Sequence, residues 1–88
     1  MLAVTVLNNS RFTGLAWRAA ARYRAAGWPV AATGNFRGRL RATTVYFEAG
    51  QQPSAVRFAQ QFGVARVLPR FAGLPGYGLT VVLTRDAA

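Results

Sequence analysis

The sequence predicts an α/β (α+β) open-faced sandwich, a mixed sheet of about five strands with two helices on one face in the order βαββαββ. Three observations carry this reading. Several short runs alternate apolar and polar residues at strand period, two longer stretches repeat their apolar residues at helical period, and a glycine closes each of those stretches. The chain therefore reads as two strand-helix-strand units and a final strand. Each unit is expected to cross over right-handedly, which puts both helices on the same side of the sheet.

The first strand is Leu2 to Leu7, with Leu2, Val4 and Val6 on one side and Ala3, Thr5 and Leu7 on the other. Asn8 to Phe12 forms a break rich in turn residues, and Thr13 is placed to cap the helix that follows. In that helix Leu15, Ala16, Ala19, Ala20, Tyr23 and Ala26 share a face, and Gly27 stands at the left-handed C-terminal position. Pro29 to Thr33 gives a second strand ended by Gly34-Asn35. Thr43 to Phe47 is the third, with Thr43, Val45 and Phe47 facing one way and Thr44, Tyr46 and Glu48 the other.

The second helix enters with Pro53 at its first position, carries Ala55, Val56, Phe58, Ala59 and Phe62 on one face and stops at Gly63. Ala65 to Leu68 is a short fourth strand ended by Pro69. Leu79 to Thr84 is the last strand, apolar at Leu79, Val81 and Leu83. The intervening Gly73-Leu-Pro-Gly-Tyr-Gly78 resembles a phosphate cradle, but no helix follows it, so it is expected to connect two adjacent strands. The face opposite the helices reads Thr5, Thr44, Tyr46, Thr80, Val82 and Thr84, half-polar and expected to meet solvent or a partner. The tail from Arg85 to Ala88 is expected to fray.

Residues 1–88 read as one domain, since single cores occupy about 50–200 residues. At 52% hydrophobic and 12% aromatic the chain is far from the disordered class. No apolar run approaches the ~18–20 residues of a spanning helix, and Met1 leads into a strand pattern rather than a signal peptide. Any exporting or anchoring segment is expected outside this chain.

Composition narrows the chemistry further. There is no histidine and no cysteine, which removes Ser-His-Asp triads, thiolate nucleophiles, zinc fingers and haem-histidine ligation. Glu48 and Asp86 are the two acidic residues, so paired-carboxylate catalysis would rest on them alone. Neither catalytic residues nor a metal nor a cofactor is expected. All eleven basic residues are arginine and the formal charge is +9. Guanidinium forks onto carboxylate and phosphate bidentately, so an anionic partner is expected.

Three groups are candidate ligand-binding residues. Asn9, Ser10 and Arg11 lie in a strand-to-helix loop, a natural anion site, although turn hydrogen bonds from Asn8 to Ser10 with Thr13 capping the helix are the plainer account of it. Arg37, Arg39 and Arg41 crowd one loop beside Phe36, where a solvated surface is the plainer alternative and ring stacking by Phe36 competes with loop anchoring. Trp17 falls off the apolar face of the first helix, pointing to an interface or lipid contact if it does not pack under a loop end. Trp28 reads as a hydrophobic contact closing that helix.

Read in order, Val4-Thr-Val-Leu-Asn-Asn-Ser10, Gly14-Leu-Ala, Arg24-Ala-Ala-Gly-Trp-Pro-Val30, Gly34-Asn35, Ala42-Thr-Thr-Val-Tyr-Phe47 and Gly78-Leu-Thr-Val-Val-Leu83 resemble the LytR C-terminal domain family. The resemblance spans Val4 to about Asp86. Where the family often has a glycine-rich turn after the first strand, this chain has Arg11-Phe12. The resemblance implies an actinobacterial envelope protein in which the domain lies on the extracytoplasmic side, behind a LytR-CpsA-Psr phosphotransferase domain or a membrane helix. Solo members are associated with envelope integrity and, in mycobacteria, vesicle release. It transfers no catalytic residue.

The function implied is a non-catalytic accessory domain that binds an anionic or amphiphilic envelope component: peptidoglycan, a phosphate-bearing wall polymer or a polyprenyl-phosphate lipid. A homodimer or an envelope protein partner is the alternative. An RNA-binding module shares the element order, but Thr5 replaces a stacking aromatic and Arg41-Ala-Thr-Thr-Val-Tyr-Phe47 lacks the RNA motif core, so no nucleic-acid partner is expected.

Overall fold

A computed structural model describes residues 2–87. The elements are β1 (Val4–Asn8), α1 (Leu15–Ala25), β2 (Val30–Asn35), β3 (Thr44–Phe47), α2 (Gln52–Phe62), β4 (Arg66–Pro69), β5 (Leu79–Leu83) and a 3-10 turn over Arg85–Ala87. The five strands form one mixed sheet in the order β2-β1-β5-β3-β4. β1 runs parallel to both β2 and β5; β3 is parallel to β4 and antiparallel to β5. Each strand-helix-strand unit therefore contributes a parallel pair, and β5 joins the two pairs.

The strand alternation builds the main core. Val4, Val6, Val45, Leu79, Val81 and Leu83 point at the helices, and all are almost completely buried. α1 meets them with Ala16, Ala19 and Ala20, whose small side chains let its backbone lie close to the sheet. α2 inserts Ala55, Phe58 and Ala59. Between the helices lies an aromatic cluster in which Phe58 meets Tyr23 at 4.7 Å, Phe62 at 4.8 Å and Trp28 at 5.0 Å between ring centroids. Such pairs add roughly 0.5–1.5 kcal/mol beyond area burial.

The helix ends divide between expectation and correction. At the end of α1, Gly27 adopts φ +97°, its N–H donating to Arg24 O and that of Trp28 to Tyr23 O, the paired bonds of a Schellman motif. Trp28 is buried there, and its indole N–H donates to Gln61 at 2.9 Å. At the start of α1, Thr13 does not cap the helix. Gly14 takes the N-cap position in a left-handed conformation that directs no side chain onto the first turn. Ala26 is exposed, because the helix ends before its face returns to the sheet. Pro53 is the second helical residue rather than the first, and β2 runs on through Gly34 and Asn35.

Three further expectations are overturned. The face opposite the helices carries no helix, yet it is not solvated: Thr5, Thr44, Tyr46, Thr80, Val82 and Thr84 are all buried. Leu7, Tyr46, Leu74 and Val82 form a second small core there, with Phe36 and Leu40 packed against it. The loops before β3 and after β4 supply this cover. The segment 70–78 does not join adjacent strands, because β3 lies between β4 and β5. It must cross β3, and in doing so it lays Leu74 over the sheet. Arg70 fixes the crossing by donating to the carbonyls of Leu74 and Pro75.

The tail is not frayed as far as Ala87. Asp86 accepts the N–H of Thr43 at 3.2 Å on both carboxylate oxygens and the hydroxyl of Thr84 at 2.7 Å, which fastens the 3-10 turn to the start of β3. Met1 and Ala88, to which the leader and tail readings extended, lie outside the described residues.

Candidate anion-binding cleft

β1, β2 and β5 are mutually aligned, so their carboxyl ends open on the same edge of the molecule. Crevices beyond the carboxyl ends of parallel strands are where open α/β sheets hold ligands. Here the edge carries a cleft of about 880 Å³. Arg11 enters from the β1–α1 loop, Arg37 and Arg41 from the β2–β3 loop, and Arg85 from the turn after β5. No acidic side chain lines it among the described residues.

The cleft walls are tied by short polar contacts. The Asn9 side-chain amide donates to the carbonyls of Phe36 at 2.7 Å and Gly38 at 2.9 Å, and its backbone N–H donates to Leu83 O at 2.7 Å. One residue thus joins the arginine loop to both β1 and β5. The Ser10 hydroxyl donates to Asn8 Oδ1 and accepts the N–H of Phe12, while the Asn8 amide donates to Phe12 O at 2.9 Å. Asn9 and Ser10 accordingly shape the wall, and the arginines supply the charge. The lining stops at Phe12, two residues short of the helix N-cap.

Both acids are occupied elsewhere. Glu48 accepts the N–H of Gly78 at 2.7 Å and lies 4.0 Å from Arg70, the sole ion pair among the described residues. For Asp86, partial desolvation works against ionisation, but hydrogen bonds from Thr43 and Thr84 outweigh it and hold the carboxyl below its usual range. Neither carboxylate neutralises the cleft. A positive field on this edge follows.

The remaining candidates separate. Phe36 is half-buried and lines the cleft, with its ring 6.1 Å from that of Phe71 between centroids, so it anchors the loop at the opening. Arg39 faces a second, smaller hollow on the other side of the loop, with Arg66. Trp17 is 68% exposed on α1 and lines neither space. Sequence reasoning missed Arg85 and Arg66. A carboxylate at 86 that could anchor the tail was the one signal for Arg85; Arg66 had none.

Nothing in the cleft resembles a proton-transfer pair. The buried phenol closest to a conventional acid-base group, Tyr23, lies in the aromatic core, where desolvation pushes it up to about 12 against a smaller opposing effect of Arg22. It stays protonated at neutral pH.

A five-stranded mixed sheet with helices on one face and an arginine cleft at its parallel-strand edge defines a small α+β module built to present charge. The chain belongs to the LytR C-terminal family, described as LytR cell envelope-related transcriptional attenuator, which matches residues 1–86. Among solved structures it is similar to the solution structure of the C-terminal domain of RV0431, with 36% identity and a TM-score of 0.65 over 96% of this chain and 72% of that one. No curated protein matches it significantly. Membership makes this an accessory domain of a cell-envelope-associated protein.

Proposed function

We propose that the domain acts on the extracytoplasmic face of the membrane as a non-catalytic module that holds a phosphate-bearing envelope component in the β1-β2-β5 cleft. The supporting observation is the convergence of Arg11, Arg37, Arg41 and Arg85 on one opening that no carboxylate enters. Guanidinium suits phosphate because its planar donors pair with two oxygens at once. The phosphate comes from a wall polymer attached to peptidoglycan or from a lipid-linked precursor.

Sedimentation separates these sources. The domain is mixed with purified peptidoglycan, with peptidoglycan still carrying its phosphate polymers, and with vesicles containing a polyprenyl phosphate. Retention that falls with salt and is lost in Arg37→Ser/Arg41→Ser supports the reading. At about 0.5–1 kcal/mol per exposed pair, that double variant should bind about 5- to 30-fold more weakly. Equal retention of wild type and variant at low ionic strength refutes it.

A second reading, self-association, rests on β2. It is an edge strand whose residues from Val30 to Asn35 include no charge, and Ala31, Ala32 and Thr33 are exposed. Unprotected edges pair with other strands. Sedimentation velocity across a concentration series tests it, and a monomer at every concentration rules it out.

A further inference from the structure

The loop Phe36–Arg41 has two concave sides. One is the cleft already described. The other, of about 380 Å³, is lined by Arg39, Arg41 and Arg66 above the rings of Phe36, Tyr46 and Phe71. Arg41 lines both, so a continuous basic surface passes over the loop from Arg11 and Arg85 on one side to Arg66 on β4 on the other. Six of the eleven arginines lie along this track.

The ridge between the two sides is built to hold its shape. Asn9 clamps its backbone at Phe36 and Gly38, Phe36 and Leu40 pack on the second core, and Phe71 braces the rings of Phe36 and Tyr46, the latter at 5.3 Å. Gly38 leaves no room for a side chain, since a Cβ there would fall 2.5 Å from the Phe36 ring. The arginines thus project from an ordered support, which lowers the entropy lost on binding.

We propose that this surface recognises an extended polyanion, with successive anionic groups seated on both sides of the ridge at once, rather than a single phosphate headgroup. The inference rests on the reading that the β1-β2-β5 cleft takes anions, and it adds valency and direction. Two linked sites bind one chain more tightly than either binds a fragment, because the second contact is intramolecular. A lone headgroup gains nothing from Arg66.

Linear polyphosphate of defined length is the probe, titrated calorimetrically against the whole chain at fixed ionic strength, with tripolyphosphate as the short comparison. Affinity per phosphate should rise at least about 100-fold between three and about 15 phosphates, the low end of avidity gains. Arg39→Ser/Arg66→Ser should abolish that gain and change tripolyphosphate binding less than about twofold, whereas Arg37→Ser/Arg85→Ser should weaken both probes. Arg66→Lys, which keeps the charge at the half-buried position, should retain most of the gain and guards against a folding artefact. Equal per-phosphate affinity for both lengths, or a length gain untouched by Arg39→Ser/Arg66→Ser, overturns the two-sided track while leaving the single cleft intact. Indifference of both probes to Arg37→Ser/Arg85→Ser overturns the cleft itself.

Discussion

Gly78 immediately precedes β5 at φ +70°, and a Cβ added there would lie 2.5 Å from the carbonyl oxygen of Ala3. That oxygen is not free to move, because it accepts the N–H of Leu79 at 3.1 Å, and the N–H of Gly78 itself donates to Glu48 at 2.7 Å. In Gly78→Ala the left-handed backbone costs about 1–2 kcal/mol. Relieving the contact requires a backbone shift that breaks the charge-assisted bond to Glu48, which adds about 1.5–3 kcal/mol. The total is about 3–5 kcal/mol, a large share of the ~4–13 kcal/mol available to a domain of this length. Gly73→Ala is the matched control. Its φ of +89° carries the same conformational penalty, but a Cβ there meets nothing within 4 Å, so only about 1–2 kcal/mol should be lost. Urea denaturation followed by far-UV circular dichroism measures both. Gly78→Ala should be about 1.5–3 kcal/mol less stable than Gly73→Ala. If the two variants unfold at the same midpoint with the same slope, close approach of β5 to Ala3 is not what the glycine serves.

Other outcomes follow from the same contacts. Asp86→Asn should lower the melting temperature at pH 7; because the native carboxyl titrates below 3.8, the wild-type advantage is present above that value and fades as pH falls through it, which a melting series from pH 7 to pH 2 will display. Phe58→Ala empties the centre of the aromatic cluster and should cost about 3–5 kcal/mol in chemical denaturation. Trp17→Phe should change stability by less than about 0.5 kcal/mol, since the side chain is on the surface, and it leaves Trp28 as the single indole reporter for fluorescence.

What could be read from the chain and what could not divide along physical lines. Alternation in Val4-Thr-Val and Leu79-Thr-Val-Val-Leu tells which side chains share a face, and the helix-facing core follows directly. Alternation says nothing about which strand lies beside which, so the placement of β5 between β1 and β3 was hidden, and with it the crossing of segment 70–78. Threonine misled for a related reason. A face of Thr5, Thr44, Thr80 and Thr84 reads as wet, yet the hydroxyls of the last three find nearby partners, Thr44 donating to Ala42 O, Thr80 to Pro75 O and Thr84 to Asp86. Their methyl groups then pack like valine. Arg37, Arg39 and Arg41 stood out because they are neighbours in sequence, whereas Arg85 and Arg66 join them only through the convergence of separate strand ends. The Asp86 to Thr43 contact spans 43 residues, beyond any local pattern.

β5 holds the middle of the sheet although it follows the other four strands in the chain. Before it arrives, β1 with β2 and β3 with β4 are two separate parallel pairs, each with its own helix. A polypeptide emerging amino end first from a ribosome or a translocation pore therefore completes its sheet only once residue 83 is clear. Closure of the sheet then waits for its last strand, and a break between Pro69 and Leu79 parts β5 from the two pairs it joins.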